Sequence, residues 1–170
     1  MLGMLVASIQ AVAVEYSVNV GLDPFRRTAV ESTDESADIG LSLGGESIWS
    51  KDKLKYGLGL ELRTETSQDN GWDNFYSHPI YGVLKYNVWN DYYVLGRLGR
   101  VFNEETVISE KGGNYFAFGV GKSFRNVDVE LVHEASETIK EGSGSNLKTP
   151  LDLFKDGNLE TVSVKVAYVF

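Results

Sequence analysis

The chain has 170 residues, 42% of them apolar and 12% aromatic, enough for one packed domain and too apolar for a disordered polymer. Twenty-four acidic against 16 basic side chains give a formal charge of -8, which argues against a nucleic-acid partner. The absence of cysteine excludes disulfides and thiolate metal sites, and no run of 18 or more apolar residues offers a helical membrane span.

Residues 1–13, MLGMLVASIQAVA, form a short apolar run closed by Ala11-Val12-Ala13, small residues at the spacing a signal peptidase reads. They are read as the remnant of an export signal, without the usual basic residues in front, so that the mature domain spans 14–170. From Val14 onward the apolar period is two. Gly, Asn, Asp and Ser clusters divide the chain into eight predicted strands, 14–24, 37–49, 54–66, 80–89, 92–102, 114–124, 127–137 and 159–170. Connector lengths alternate. Ser50 to Lys53, Asn90 to Asp91 and Arg125 to Asn126 are tight, whereas Phe25 to Ser36, Ser67 to Pro79, Asn103 to Gly113 and Thr138 to Asn158 are long and polar. The alternation predicts an up-and-down meander with its tight turns at one end and four long loops at the other.

Each strand has one bulky face and one small or charged face. On the last strand Val162, Val164, Val166, Tyr168 and Phe170 oppose Thr161, Ser163, Lys165 and Ala167; on the third, Leu54, Tyr56, Leu58, Leu60 and Leu62 oppose Lys55, Gly57, Gly59, Glu61 and Arg63. An eight-stranded barrel has an interior only just wide enough for side chains, so eight stripes of Leu, Phe, Tyr and Val would overfill it. The fold class is therefore all-β, an eight-stranded antiparallel transmembrane barrel turned inside out, with apolar stripes toward lipid. Closure also suits lipid, where an open strand edge leaves unpaired backbone groups costing several kcal/mol each. The inward charges are then expected to pair as a lumenal network of Glu15, Asp38, Glu46, Glu61, Asp128 and Glu130 with Lys55, Arg63, Lys85, Arg97 and Lys165. On this parity Leu60→Arg is expected to be costly and Gly59→Ser, facing the lumen, less so.

Aromatic placement agrees. Tyr16, Trp49, Tyr56, Tyr86, Trp89, Tyr92, Phe124, Tyr168 and Phe170 collect near the tight turns, as an interfacial girdle does. A looser ring of Phe25, Trp72, Phe75, Tyr76 and Phe102 falls toward the long loops.

With these features the chain resembles, over nearly all of 14–170, the small outer-membrane barrels of Gram-negative bacteria of the OmpA/OmpX type. Its ending, with Val164, Val166, Tyr168 and a terminal Phe170, is similar to the signal that the barrel-assembly machinery reads in that class. The resemblance implies an outer-membrane monomer with periplasmic termini and extracellular loops. It also implies partners among outer-membrane lipid and lipopolysaccharide, whose phosphates Arg26, Arg27 and Arg100 would meet near the loop end.

Enzymatic constellations are weak. The two histidines, His78 and His133, lie on separate strands, and no HExxH, GxSxG or phosphate-loop spacing occurs. Some barrels of this class act on lipid A acyl chains, but His133 and Ser136 have opposite parity and their side chains diverge. No catalytic residue, metal or cofactor is expected, and the four acidic loops are the place for a surface or host ligand. The favoured reading is a non-enzymatic envelope or surface-interaction barrel. Its rivals are a narrow, porin-like ion channel, a lipid A acyl-chain hydrolase and a soluble lipocalin-like carrier.

Overall fold

The structure, a computed structural model, describes residues 14–28, 39–67, 71–102, 113–136 and 159–170, with the backbone alone for 25–28, 65–67, 71–77 and 159. Its strands are β1 (Val14–Thr28), β2 (Gly40–Lys51), β3 (Leu54–Ser67), β4 (Gly71–Trp89), β5 (Tyr92–Phe102), β6 (Gly113–Phe124), β7 (Val127–Ser136) and β8 (Leu159–Val169). Each pairs antiparallel with its sequence neighbour, and β8 returns to β1, closing the barrel. Among the described residues no helix is long and apolar enough to cross a membrane.

Local chemistry accounts for the three tight hairpins. A two-residue turn that follows the strand twist needs positive φ, which Asn and Asp tolerate better than most residues. Asp52 has φ 55°, and Asn90 and Asp91 have 44° and 66°. Arg125, at 56°, is a less natural occupant, but the adjacent Asn126 anchors its turn to β8: its Nδ2 donates to the Val169 carbonyl at 3.1 Å, and its own carbonyl accepts from the Val169 N–H at 2.8 Å.

Two prolines mark irregularities, and further register shifts fall at Arg63 to Thr66 on β3 and Asn87 to Trp89 on β4, where there is no proline. Between Leu22 and Phe25 the β1–β8 register gains one residue on β1, a bulge that contains Pro24. On β4, pairing to β3 is interrupted between Leu60↔Ile80 and Arg63↔Ser77, a span that holds Pro79, which has no N–H to give the ladder. The strand predicted over 80–89 is longer than that: β4 passes through Pro79 to Gly71, and Pro79 keeps its pairing to Val101 on the other side. The Ser67-to-Pro79 connector is therefore largely an extension of the β3–β4 hairpin. Likewise β1 runs to Thr28 rather than 24, and the first tight turn narrows to Asp52 and Lys53. Residues 1–13, 29–38, 68–70, 103–112 and 137–158, and with them the expected export signal and most of the loop residues, lie outside the described residues.

The faces are inverted relative to a soluble barrel. Leu60 is 55% exposed, Val164 41% and Phe118 49%, whereas Glu61 is 1% and Lys165 0% exposed. This arrangement removes the lipocalin-like packing, in which the apolar stripes would fill the interior.

Candidate functional site: the ionic lumen

The inward positions of the strands converge on two quartets of charge. Nearer the tight turns, Glu46 of β2, Lys85 of β4, Arg97 of β5 and Glu130 of β7 form a closed ring of ion pairs. Arg97 reaches Glu46 at 2.7 Å and Glu130 at 2.6 Å; Lys85 reaches the same carboxylates at 2.9 and 2.8 Å. Nearer the long loops, Glu61 and Arg63 of β3, Glu134 of β7 and Lys165 of β8 close a second ring. Arg63 pairs with Glu61 at 2.8 Å and with Glu134; Lys165 pairs with Glu61 at 2.5 Å and Glu134 at 2.7 Å. Each quartet holds two carboxylates and two cations and is neutral.

Tyrosines join and line the rings. Tyr81 donates its hydroxyl to Glu46 at 3.2 Å, and Tyr93 reaches Glu130 at 2.9 Å and Asp128 at 3.3 Å. The Arg97 guanidinium lies 5.2 Å from the Tyr81 ring centre, the Lys85 ammonium 5.4 Å from that of Tyr93, and Arg63 5.5 Å from that of Tyr115. Tyr81 and Tyr115, with centroids 5.5 Å apart, bridge the two quartets. Burying an ion costs several kcal/mol unless partners replace its water, and here every quartet charge has two partners of opposite sign. Chemically this is a cross-brace. It ties β2, β3, β4, β5, β7 and β8 together through the middle of the barrel.

The remaining wall is different. Ser163 of β8, Ser17 and Asn19 of β1 and Ser42 of β2 are all buried, and their side-chain polar atoms have no hydrogen-bond partner among the described residues. Glycines make this seam close-packed: a Cβ on Gly21 would lie 3.1 Å from Lys165 Cγ, and one on Gly44 would lie 2.8 Å from Asn19 Oδ1.

Of the residues expected in the network, Glu61, Arg63, Lys85, Arg97, Glu130 and Lys165 meet in the quartets. Asp128 joins through Tyr93. Glu15 stands apart near the tight-turn end, where it takes Lys55 at 2.9 Å and the Ser50 hydroxyl at 3.3 Å in a half-exposed pair. Asp38 lies outside the described residues. Glu134, Tyr81 and Tyr93 were not anticipated, whereas alternation along the sixth strand already sets Tyr115 with Ala117, Gly119 and Gly121 on the inward face. Glu134 shares the parity of Asp128 and Glu130, and that signal sufficed to find it; Tyr81 and Tyr93 show that the inward face is not solely small or charged.

Outward sites are less developed. Arg100 is exposed on the lipid side, whereas Arg26 and Arg27, paired in the backbone with Thr161 and Glu160, have side chains outside the described residues. Val164, Val166, Tyr168 and Phe170 line one exposed face, with the Tyr168 and Phe170 rings edge-on at 5.0 Å. His133 faces outward with its ring 5.3 Å from that of Phe118, while Ser136 is buried opposite Tyr115, so β7 holds the two side chains apart. Among the described residues no group of three metal-ligating side chains occurs.

Comparison with known folds bears on this architecture. Neisserial surface protein A superposes with a TM-score of 0.52 at 11% identity, covering 92% of this chain and 97% of that one. The outer membrane enzyme PagL matches at 0.52 and 14% identity, covering 91% and 98%. Ail, the attachment invasion locus protein of Yersinia pestis, matches at 0.51 and 10%, covering 92% and 97%. This chain has the architecture of the small outer-membrane barrels. At such identities the likeness is one of fold. By sequence, no family model and no curated relative matches the chain.

Proposed function

We propose that the chain is a monomeric integral outer-membrane barrel without enzymatic activity, whose closed body serves the envelope and displays its long loops outside for interaction. The observation that carries this reading is the pair of neutral ion-pair rings inside an apolar-coated wall. A barrel braced across its axis suits a rigid mount better than a wide pore, and eight strands leave little bore in any case. In this reading residues 1–13 are the export signal, the termini are periplasmic, Val164 to Phe170 serve assembly, and Arg26, Arg27 and Arg100 approach lipopolysaccharide phosphate. The unpartnered hydroxyls and amide along β8, β1 and β2 favour one alternative, a thin path for small ions beside the quartets.

Three measurements on the full chain separate the readings. Heat-modifiable migration on gels after detergent folding, with loop labelling on intact cells, is expected for the membrane barrel; solubility without detergent overturns it. Planar bilayers should show no steady conductance, and a current that changes in Arg97→Ala would replace the mount with the channel. Lipid A mass should be unchanged on expression, and a mass loss abolished by His133→Ala would make the protein a hydrolase.

A further inference from the structure

The lipid-facing wall is not uniformly bulky. Across β3 to β6 the outward positions form two neighbouring rows, Tyr56, Leu84, Gly96, Phe118 and Leu58, Gly82, Leu98, Phe116. Gly96 interrupts the first row and Gly82 the second. The missing side chains open a shallow groove of about 730 Å³ over the two glycines, walled by Leu58, Leu84, Leu98 and Phe116 and bordered on its β2 side by Trp49 and Tyr56. That volume lies in the range of small-molecule sites. A Cβ placed on Gly96 would meet nothing nearer than 4.0 Å, and one on Gly82 nothing nearer than 3.8 Å, so backbone packing does not demand glycine at either position.

The aromatic border points to the occupant. Trp49 and Tyr56 stack with centroids 6.2 Å apart, and such rings settle at headgroup level. One outward position further along β2 stands Lys51, exposed on the turn with Lys53. An apolar groove within the membrane-facing wall, bordered by an aromatic pair and then by Lys51 and Lys53, two cations against the one carboxylate of Asp52 between them, matches a molecule with an oily chain and an anionic head. We propose that the groove over Gly82 and Gly96 seats one acyl chain of an anionic phospholipid, whose headgroup is met by Lys51. The inference rests on the membrane reading above, which places the tight turns in the phospholipid leaflet.

The test is native mass spectrometry of the full chain, folded in detergent and offered phosphatidylglycerol and phosphatidylcholine of identical chains. One retained lipid is expected, with phosphatidylglycerol favoured about fivefold, the preference that one Lys gives at a charged surface. Gly96→Leu, or Gly82→Leu, should lose both lipids by filling the groove, whereas Lys51→Gln should keep a lipid and lose the preference. Retention by both Leu variants equal to wild type, or no headgroup preference in the wild type, overturns the proposal. So does a wild-type dimer that Gly96→Leu separates, since the occupant is then a second copy. Heat-modifiable migration of each variant keeps the arms distinct: a closed barrel that holds no lipid refutes the groove, and a chain that closes in no detergent refutes the membrane reading instead.

Discussion

The braced wall from β3 to β7 and the seam of β8, β1 and β2 fill one lumen by opposite means. On the braced side, long side chains cross the axis: Arg97 of β5 reaches Glu46 of β2, and Lys85 of β4 reaches Glu130 of β7. On the seam, Ser17, Asn19 and Gly21 of β1 stay short, and β2 and β8 add Ser42, Gly44 and Ser163 beside their own quartet members Glu46 and Lys165, which leaves room at the centre for those crossings. In a ring of eight strands β1 stands opposite β5, so the small wall and the large wall are complementary. The difference also shows where burial is strict. Every quartet charge has an ionic partner, although Arg97 Nη1 makes no hydrogen bond, while the Ser17, Ser42 and Ser163 hydroxyls and the whole Asn19 amide have no hydrogen-bond partner among the described residues. An unmet hydroxyl costs about 1–3 kcal/mol, an unmet ion considerably more.

The contrast is broken most severely by Arg97→Met, which strands Glu46 and Glu130 beside one remaining cation. A loss of about 3–5 kcal/mol is expected in equilibrium unfolding from lipid vesicles, and a loss under about 1 kcal/mol would deny the quartet its bracing role. Leu60→Arg, on the lipid side of the same wall, should cost about 2–4 kcal/mol by the same assay, and an unchanged midpoint would contradict the outward assignment. Gly59→Ser sharpens the picture from within. Parity alone suggested an inexpensive change, but a Cβ at Gly59 would fall 2.6 Å from Cζ of Tyr81, which is itself held by Glu46. Overpacking of about 1–3 kcal/mol is expected, relieved in Gly59→Ser/Tyr81→Phe only if the ring has freedom to move once released from Glu46. On the seam, Ser163→Ala should leave stability unchanged or raise it, by up to about 1–3 kcal/mol, because the change removes a buried hydroxyl that has no partner among the described residues. A loss of about 1 kcal/mol or more would contradict that reading.

Faces and turns were legible because both depend on local chemistry. Period-two alternation separates Leu60 from Glu61, and Asn90-Asp91 accepts the left-handed backbone that a two-residue hairpin needs. The limits of β1 and β4 were not legible, because proline forbids only a donated bond: Pro24 sits in a bulge and Pro79 beside a gap in one ladder, and the strands continue past both. Pairing within the lumen was equally hidden. Parity puts Glu46, Glu61, Glu130 and Glu134 inside, but which cation each meets depends on the stagger of strands far apart in sequence. Glu134 carries the parity of Glu130 and is inward for the same reason, although it sits between the outward His133 and a buried Ser136. Tyr81 and Tyr93 depart from the pattern because a phenol can turn its hydroxyl to a buried carboxylate, as each does with Glu46 or Glu130, which residue type alone does not signal.

The neutrality of each quartet has an electrical consequence. A voltage across the membrane pulls the two carboxylates one way as strongly as it pushes the two cations the other. Each ring thus feels a twist and no net displacement, so the two braces hold whichever side is negative, and the pull of the field falls on carboxylates outside the quartets, such as the buried Asp23 and Asp128.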